Sequence, residues 1–451
     1  MFAGAWILAL DPHSEVPMVL WIGVDDTDSL RGMCTTFLAA ELVRDLTRDF
    51  ELIGYPRLVR LNPNIPWKTR GNAAVCLRIG SGRGRPMTVG ELGGKPIQMF
   101  PRGRGDEPPT HVLGRVSRLV ERWSRFDDET TNPGFTISPA PARAWLYWRA
   151  VRRIVTMDEA VAAASTSAIV RGYKNGRGII GALAATSWRP RDRTYEVLCY
   201  REKSSWGTRR ELVPRTVQEM DVRFPSTFNN YDYDNDRVVI APHSPCPILF
   251  GIRGDEPGVL PEAMRSIRGE RPAGWLLFET NQGTDDHVVR RSVMEPRQTV
   301  RVEGRVERFP RVLRGGHVVV CLSGVDVTAY EPSKQFRAVV AALWPGDRIG
   351  VIGAVREEPR TLNLEKLQVL DVVNRVVKIA NPTCNSCGCR AKSMGRTGLF
   401  RCPKCREKFP RSTASFRAID SGLRRGWYEP PVGSRRHLSK PLKRMPGARA
   451  L

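Results

Sequence analysis

The feature that most constrains this chain is an apolar run that breaks directly into acidic residues. Residues 19–24 read Val-Leu-Trp-Ile-Gly-Val, which predicts a buried strand, and Asp25-Asp26-Thr27-Asp28 follows at once. In α/β folds, ligands bind where a strand ends before the next helix. Carboxylates packed there repel one another unless a hard cation lies among them, and oxygen ligands suit Mg²⁺ that carries nucleotide phosphates. The sequence therefore predicts a Mg²⁺–nucleotide site at Asp25, Asp26 and Asp28.

A helix is predicted to follow this acidic motif. The segment after Cys34-Thr35-Thr36 is apolar at helical spacing, so the helix should begin near Thr35 or Thr36. Its free N–H groups and positive dipole end would face a phosphate. The alternative is an Asx turn with an ordinary helix cap, for which Asp and Thr are common residues.

The charge of the chain indicates a polyanionic partner. Among 451 residues there are 71 Lys or Arg and 47 Asp or Glu, which gives a formal net charge of +24. An excess of this size, spread along the chain, favours nucleic acid over a membrane surface. No segment approaches the roughly 18 apolar residues of a membrane span. We therefore expect a cytoplasmic protein that is not held in a membrane.

The first residues of the chain stand apart from the rest. Residues 1–17 begin with an apolar stretch but have neither a basic n-region nor a clear cleavage site, so a signal peptide is not expected. Met18 lies directly before the first predicted strand. We interpret residues 1–17 as an N-terminal extension or as the product of a mis-assigned start.

Four of the ten cysteines have the spacing of a zinc ribbon. Cys384-x₂-Cys387 and Cys402-x₂-Cys405 are separated by fourteen residues, which suits two thiolate pairs that close a tetrahedral structural site. Clustered cysteines of this kind indicate metal binding in a reducing compartment. Cys389 is an alternative to Cys387, and a redox pair is the alternative to a metal. The other cysteines lie in apolar segments and are predicted to be buried thiols: Cys34, Cys76, Cys199, Cys246 and Cys321.

Changes of pattern along the chain predict a multidomain fold of α/β and α+β units. Residues 18–154 alternate strands and helices, except for a Gly/Pro/Arg-rich stretch at 80–109 that we interpret as an insertion loop or flexible surface segment. Residues 155–290 alternate in the manner of a ferredoxin-like sandwich. Short strand-like runs in 297–378, separated by Gly and Pro, favour an OB-type barrel, a fold that binds single-stranded nucleic acid.

Two smaller segments complete the predicted organisation. The zinc ribbon is placed at 381–410, and residues 411–451 are interpreted as a basic tail with basic clusters at 435–437 and 440–444. Such tails contact phosphate backbones. Simple disorder of the tail is the alternative.

Several motifs follow one another along the chain, at 23–36, 60–66, 69–72, 131–134, 242–247, 280–285, 329–332 and the cysteine pairs. Taken in this order, they resemble those of one known family, the archaeal tRNA-isoleucine 2-agmatinylcytidine synthetases. The resemblance covers about residues 18 to 445, and the departures from it are residues 1–17 and 80–109.

What the resemblance implies agrees with the chemistry of the residues. Members of the family use ATP to activate the C2 oxygen of the wobble cytidine in the CAU anticodon of an isoleucine tRNA. Agmatine then displaces that oxygen, so that the tRNA reads AUA. The resemblance implies a modified-kinase domain at 18–154, followed by the ferredoxin-like domain, the OB fold and the zinc ribbon. It implies that Thr35 becomes phosphorylated and that Asp25, Asp26 and Asp28 hold Mg²⁺ and the triphosphate.

Further residues are candidates for binding the nucleotide and the amine. The side chains expected to bind ATP, besides the three carboxylates, are Arg31, Lys68, Thr69, Arg70 and Asn72. Agmatine is a dication, so its pocket should offer carboxylates, and the candidates are Asp285, Asp255 and Glu279. On this interpretation Mg²⁺ is catalytic, Zn²⁺ is structural, and the tRNA and agmatine are the partners, with no membrane and no protein partner implied.

Two other classes of function stay open at this stage. A non-catalytic single-stranded nucleic-acid-binding protein would explain the charge and the cysteines, but it gives no reason for the acidic motif. Another ATP-dependent RNA-modifying kinase or ligase would share the acidic motif but would not use agmatine.

Overall fold

The computed structural model describes most of the chain. The described residues are 6–9, 19–105, 107–290, 294–395 and 398–447. Only the backbone is described for residues 6–9, which form strand β1 (Trp6–Ala9). The interpretation of residues 1–17 as an extension or a mis-assigned start otherwise lies outside the described residues.

The N-terminal part of the chain forms strands and helices in alternation. After β1, its elements are β2 (Leu20–Asp25), α1 (Thr35–Leu46), β3 (Glu51–Ile53), β4 (Arg57–Arg60), β5 (Ala73–Arg83), β6 (Met87–Leu92), β7 (Lys95–Phe100), β8 (Arg102–Arg104), α2 (Pro109–Trp123), β9 (Gly134–Ser138), α3 (Trp145–Arg152), α4 (Met157–Ala162), β10 (Ile169–Gly172) and α5 (Gly178–Ser187). The strand predicted at 19–24 is confirmed as β2, and α1 begins at Thr35, one of the two predicted positions.

Strand β2 lies inside a large sheet and is covered on both faces. It pairs antiparallel with β5 on one side and β9 on the other, so the site at its end is not the crevice of a parallel sheet. Helices α1 and α2 contribute to the core on one face, and α3 and α5 contribute to the core on the other. Helix α5 packs so closely that a Cβ added at Gly23 would lie 2.2 Å from the carbonyl oxygen of Ala182.

The prediction of a loop or flexible segment at 80–109 is wrong. Strand β5 extends to Arg83, β8 pairs with its end, and β6 and β7 form a hairpin turned by Gly93 and Gly94, both at positive φ. The hairpin buries Val89, Leu92, Ile97 and Met99. The high Gly, Pro and Arg content makes this short apolar pattern hard to recognise in the sequence. Burial of the apolar side chains makes the segment an extension of the sheet.

The next part of the chain continues the same sheet. Its elements are β11 (Thr194–Tyr200), α6 (Pro214–Arg223), β12 (Thr227–Phe228), β13 (Tyr231–Asp232), β14 (Arg237–Val238), β15 (Ile248–Gly254), α7 (Leu260–Ser266) and β16 (Gly274–Thr280). Strand β16 pairs antiparallel with β11 and with β6, and parallel with β4. The predicted α/β unit and the predicted α+β unit are therefore joined through one hydrogen-bonded sheet.

A barrel follows the large sheet. Its elements are β17 (Val288–Val289), β18 (Thr299–Arg305), β19 (Arg311–Val312), β20 (Val318–Leu322), β21 (Val325–Ala329), α8 (Phe336–Ala341), β22 (Arg348–Val355) and β23 (Leu362–Asp371). The strand order β18-β22-β23-β21-β20 is closed by a bridge between Val306 and Leu322. The buried side chains of these strands form one apolar core, so the strand-like runs predicted in this region are confirmed as a closed barrel.

The C-terminal residues are packed against the rest of the chain. Their strands are β24 (Arg375–Ala380), β25 (Lys392–Ser393), β26 (Phe400–Arg401), β27 (Lys408–Phe409), β28 (Ser415–Ile419) and β29 (Gly426–Tyr428), and β29 pairs with β23 of the barrel. Beyond β29, residues 429–444, which we call the C-terminal strap, bury Leu438 and Leu442. The composition predicted a basic tail, but these apolar anchors and ion pairs described below hold the strap in place.

The structure also tests the prediction of buried thiols and the expectation that no segment spans a membrane. Cys34, Cys76, Cys199, Cys246 and Cys321 are all buried free thiols, as predicted. None of the helices in the described ranges is long and apolar enough to cross a membrane.

Candidate active site

A pocket opens at the end of β2, where the acidic motif meets the first turns of α1 and α5. The predicted residues that line it are Asp25, Asp26, Asp28, Thr35, Lys68, Thr69, Arg70 and Asn72. The structure thus brings together all the predicted nucleotide-binding residues except one. Arg31 does not line the pocket, because its half-exposed side chain pairs with Asp127 at 2.9 Å.

The three carboxylates of the pocket are balanced unequally by positive charge. Arg177 pairs with Asp26 at 2.8 Å, and Arg70 pairs with Asp28 at 3.0 Å. No ion pair joins Asp25 to any described residue. Burial, together with the charges of its two neighbours, raises the pKa of Asp25 well above its ordinary value. Burial also raises the pKa of Asp26, to about 6, although Arg177 opposes that shift.

The donor set of this cluster fits a hard cation. Three carboxylate groups lie in one pocket, one of them without a positive partner, and such oxygen ligands are those that Mg²⁺ takes with nucleotide phosphates. A proton or a metal ion would relieve the charge on Asp25, because a buried carboxylate without a positively charged partner is strongly disfavoured.

The hydroxyl of Thr35 is held at the centre of the site. It donates a hydrogen bond to Asp28 Oδ1 at 3.1 Å and accepts one from Thr27 Oγ1 at 3.0 Å. The backbone N–H of Thr35, the first residue of α1, also donates to Asp28 Oδ1, at 2.7 Å. Asp28 thus fixes the start of the helix and the hydroxyl at the same time, in the manner of an acidic helix cap.

Arg70 connects its own loop to two segments that are distant in sequence. Its guanidinium contacts Asp28, the hydroxyl of Ser244 at 2.9 Å and the carbonyl oxygen of Met33. Ser244 belongs to the 242–247 motif, whose place in the structure is thereby explained. One side chain holds the acidic motif, the start of α1 and this loop together.

A second loop, which contains Asp128, holds the residues that follow the acidic motif through hydrogen bonds. Asp128 accepts hydrogen bonds from the hydroxyl of Ser29 at 2.5 Å, from the hydroxyl of Thr130 at 2.7 Å and from the N–H of Leu30 at 3.1 Å. Burial acts to raise the pKa of Asp128, but these hydrogen bonds prevail and lower it to about 2. Thr131 adds a hydrogen bond to the carbonyl oxygen of Asp28 at 2.8 Å.

Two residues of the site were not found from the sequence. Arg177 supplies the positive charge beside Asp26, and Gly181 lies against Asp25, where an added Cβ would be 1.7 Å from Oδ2. The available signal was Gly176-Arg177-Gly178 at the start of a small-residue helix, about 150 residues after the motif it serves. Such a contact depends on the packing of α5 on β2.

The three carboxylates predicted to bind agmatine lie elsewhere and have partners. Asp285 pairs with Lys366 at 2.7 Å, Glu279 with Arg57 at 3.1 Å and Arg193 at 3.0 Å, and Asp255 with Arg444 at 2.7 Å. They do not line the pocket of the acidic motif. Their role in amine binding stays a prediction.

A second pocket shares a wall with the first. Asp28, Thr35 and Arg70 line both pockets, and strands β11 and β15 supply the opposite wall of the second one. His437 of the C-terminal strap lines it as well. Thr35 therefore lines both pockets, the first on the side of Asp25 and the second on the side of β11 and β15.

The four predicted zinc ligands come together near the C-terminus. One sulfur atom from each of Cys384, Cys387, Cys402 and Cys405 lies within 4.8 Å of the others. A tetrahedral zinc site with Zn–S distances of about 2.3 Å separates its sulfurs by about 3.8 Å, so the four thiols fit this metal. Cys389 lies outside the set.

The C-terminal strap is tied to the body by ion pairs. Lys440 and Arg444 pair with Asp192 at 2.8 and 2.9 Å, and Arg436 pairs with Glu365 at 3.0 Å. The N–H of Gly283 donates to the carbonyl oxygen of His437 at 2.8 Å. Much of the basic charge of this segment is thus neutralised within the protein.

Acidic residues set between two arginines, with a threonine hydroxyl at a helix start, define the chain as an enzyme that handles nucleotide phosphates. Two family models match it, the TiaS TCKD domain over residues 21–174 and the TiaS FLD domain over 176–287. The chain belongs to the TiaS family of tRNA-isoleucine 2-agmatinylcytidine synthetases, which confirms the resemblance seen in the sequence.

Relatives and solved structures match over nearly the whole chain. The 2-agmatinylcytidine synthetase TiaS of Methanocaldococcus jannaschii is 37% identical over 94% of this chain and 99% of its own length. The Archaeoglobus fulgidus protein of that name is 38% identical over 95% of this chain and 98% of its own length. A crystal structure of a TiaS complex with its isoleucine tRNA and ATP superposes with a TM-score of 0.83 at 36% identity, covering 96% of this chain and 99% of that one.

Replacing Asp285 by Ala should cost stability. Lys366 is fully buried, so the substitution leaves a buried ammonium group without its partner, and we expect a loss of about 3–5 kcal/mol in the free energy of unfolding. Chemical denaturation measures this loss. The control is Asp255→Ala, because Asp255 is exposed and its partner Arg444 keeps Asp192. Unchanged stability with a raised KM for agmatine would contradict the structural role of Asp285 and favour amine binding.

The stability of the unliganded protein should depend on the acidic motif and on pH. Because the pKa of Asp26 rises to about 6 on folding, its protonated form favours the folded state at low pH, and this contribution is lost as pH rises through about 4 to 6. Mg²⁺ competes with those protons, so its effect should grow over the same range. Thermal melting should show a larger Mg²⁺-induced increase in Tm at pH 7.5 than at pH 5.

The variant Asp25→Asn distinguishes Mg²⁺ binding at the acidic motif from a general effect of Mg²⁺ on the stability of the protein. Without Mg²⁺ at pH 7.5 it should melt above wild type, because a buried charge has been removed, and its Mg²⁺-induced shift should be much reduced. Asp127→Asn, at an exposed carboxylate outside the pocket, is the matched control and should behave as wild type. Equal Mg²⁺ shifts in wild type and Asp25→Asn would rule out the metal site.

Proposed function

We propose that this chain conjugates agmatine to C2 of the wobble cytidine of an isoleucine tRNA with a CAU anticodon, at the expense of ATP. The observation that carries the proposal is the position of Thr35, which lines two pockets and whose hydroxyl is bonded to Asp28. Solved TiaS neighbours support it, since one is a complex with an isoleucine tRNA and ATP and another a complex with that tRNA, AMPCPP and agmatine.

The first pocket is the proposed nucleotide site. Asp25, Asp26 and Asp28 would hold Mg²⁺, which when bound would neutralise charge on the phosphates. Lys68 and Arg70 line the same pocket and supply positive charge at fixed positions. Apolar side chains, among them Leu61 and Ile180, line it as well and would pack against a base.

Asp28 is the residue proposed to take the proton from the Thr35 hydroxyl. The hydrogen bond from Thr35 Oγ1 to Asp28 Oδ1 at 3.1 Å has the direction that this transfer needs. The oxygen would then accept a phosphoryl group from the nucleotide, in the role that the family resemblance gave to Thr35. Thr27 donates to the same oxygen and orients it.

The second pocket is the proposed place of the cytidine and the amine. Transfer of the phosphoryl group from Thr35 to the C2 oxygen would turn that oxygen into part of a phosphate leaving group. The primary amine of agmatine would then attack C2, form the new C–N bond and lose a proton as phosphate departs. The base must leave the anticodon stack to reach this pocket. Asp285, Asp255 and Glu279, the carboxylates predicted for the dication, do not line this pocket, so their role would require the amine to extend beyond it.

The closed barrel and the cysteine cluster are proposed to hold the tRNA. We assign the barrel to the OB type, a fold that binds single-stranded nucleic acid, and the four-cysteine unit to a zinc ribbon. The metal would have a structural role, because four protein ligands leave no open position on zinc. The large excess of basic residues suits the RNA substrate, and a cytoplasmic location follows from that substrate.

The assay for this function combines the chain, Mg-ATP, labelled agmatine and an isoleucine tRNA transcript with a CAU anticodon. Label should enter the tRNA only when ATP is present. Thr35→Val should abolish covalent phosphate on the protein and label transfer while tRNA still binds, and Thr35→Ser should restore part of both. Label transfer by Thr35→Val at the wild-type rate would exclude Thr35 from the mechanism.

Failure of the wild-type chain in this assay would distinguish the other classes of function. ATP turnover without transfer of agmatine would favour a kinase or ligase with another acceptor. Binding of tRNA without ATP turnover would favour a non-catalytic binding protein.

Zinc content tests the assignment of the cysteine cluster. The purified chain should contain about one zinc ion, and Cys402→Ser should lose it, because three thiolates bind zinc more weakly than four. Cys389→Ser is the matched control and should retain the metal. A chain purified from zinc-replete medium without bound zinc would refute the assignment.

A further inference from the structure

The last residues of β5 and the short strand β8 that pairs with them present arginines on one face and glycines on the other. Strand β8 pairs with the end of β5 so that Gly82 lies opposite Gly103 and Arg83 lies opposite Arg102. Because side chains alternate along a strand, Arg83, Arg102 and Arg104 share the face opposite to the glycines. We call these three residues the arginine ladder.

The glycine face fixes the direction of the arginines. A Cβ added at Gly82 would lie 2.3 Å from the ring of Phe100, and one added at Gly103 would lie 2.3 Å from Ile53. The glycines therefore allow this face to pack directly on the body of the sheet. The arginine ladder is held on the outer face, and its three side chains are exposed.

No ion pair neutralises the ladder within the described part of the chain. No side-chain hydrogen bond joins Arg83, Arg102 or Arg104 to a described residue either. The carboxylate of Glu51, on the neighbouring strand β3, accepts a hydrogen bond from the N–H of Gly82 instead. Like charges directly opposite each other on neighbouring strands are destabilising. The pair Arg83 and Arg102 thus lowers the stability of the isolated protein and suits a polyanion.

The ladder lies far from the proposed site of chemistry. Strand β5 begins at Ala73, which lines both pockets, and reaches Arg83 ten residues later. At about 3.3 Å per residue this is a distance of about 33 Å. A single nucleotide bound in either pocket cannot reach the ladder, but a folded RNA can.

We propose that the arginine ladder binds the phosphodiester backbone of the tRNA at nucleotides remote from the modified base. The inference rests on the proposed function for its choice of RNA, and on the charge and geometry of the ladder for the binding mode. Backbone contacts of this kind position a nucleic acid without reading its sequence. The ladder would hold the body of the tRNA while the anticodon occupies the pockets.

The test is the salt dependence of tRNA binding by the full chain. The double variant Arg83→Gln/Arg102→Gln should bind an isoleucine tRNA transcript more weakly. The slope of log affinity against log salt concentration should be smaller in magnitude than that of wild type by about 1.5. Each lost phosphate contact lowers the magnitude of this slope by about 0.7–0.9. The KM for tRNA should rise, kcat at saturating tRNA should stay at the wild-type value, and Tm should be unchanged or higher.

The matched control removes the same charge where acidic partners exist. Arg215 and Arg223 are exposed arginines that pair with Glu219 and Glu262, so Arg215→Gln/Arg223→Gln should leave the salt slope nearly as in wild type. Equal slopes for the two double variants, or a fall in Tm or kcat for the ladder variant alone, would overturn the proposal. A wild-type chain that binds tRNA through the ladder but transfers no agmatine would refute the proposed function and leave the ladder intact.

Discussion

Negative charge concentrated at the end of β2 is the constraint on which the rest of the site depends. Three carboxylates lie within four residues, and the chain brings arginines from two distant segments to balance two of them. Arg177 arrives with α5, and Arg70 arrives with the loop between β4 and β5. Asp25 forms no ion pair with any described residue, and this unbalanced charge is what would attract a cation to the pocket.

The same carboxylates organise the structure around them. Asp28 holds the first turn of α1 and the hydroxyl of Thr35, and Asp128 holds the loop that follows the acidic motif. Helix α5 can approach only because Gly181 leaves room for the carboxylate of Asp25. Binding and folding therefore use the same few contacts, and a protein with a buried, unpaired carboxylate gives up stability for function.

Local patterns predicted the parts of the structure that local interactions determine. The strand β2, the start of α1 at Thr35 and the two cysteine pairs each follow from neighbouring residues. The roles of Arg177 and Gly181 depend on how α5 packs, so no short window of sequence contains them. The hairpins at 80–109 were missed because glycine and arginine usually mark loops. The C-terminal strap was missed because a basic composition does not reveal which charges meet Asp192 and Glu365.

The C-terminal strap contributes to one of the two pockets and not to the other. His437 lines the second pocket, and the strap is held by residues from the sheet and the barrel. The lining of the nucleotide pocket ends at Gly181, whereas the lining of the second pocket includes a residue of the strap. Docking of the strap therefore completes the pocket proposed for the cytidine and the amine, and it adds no residue to the nucleotide pocket.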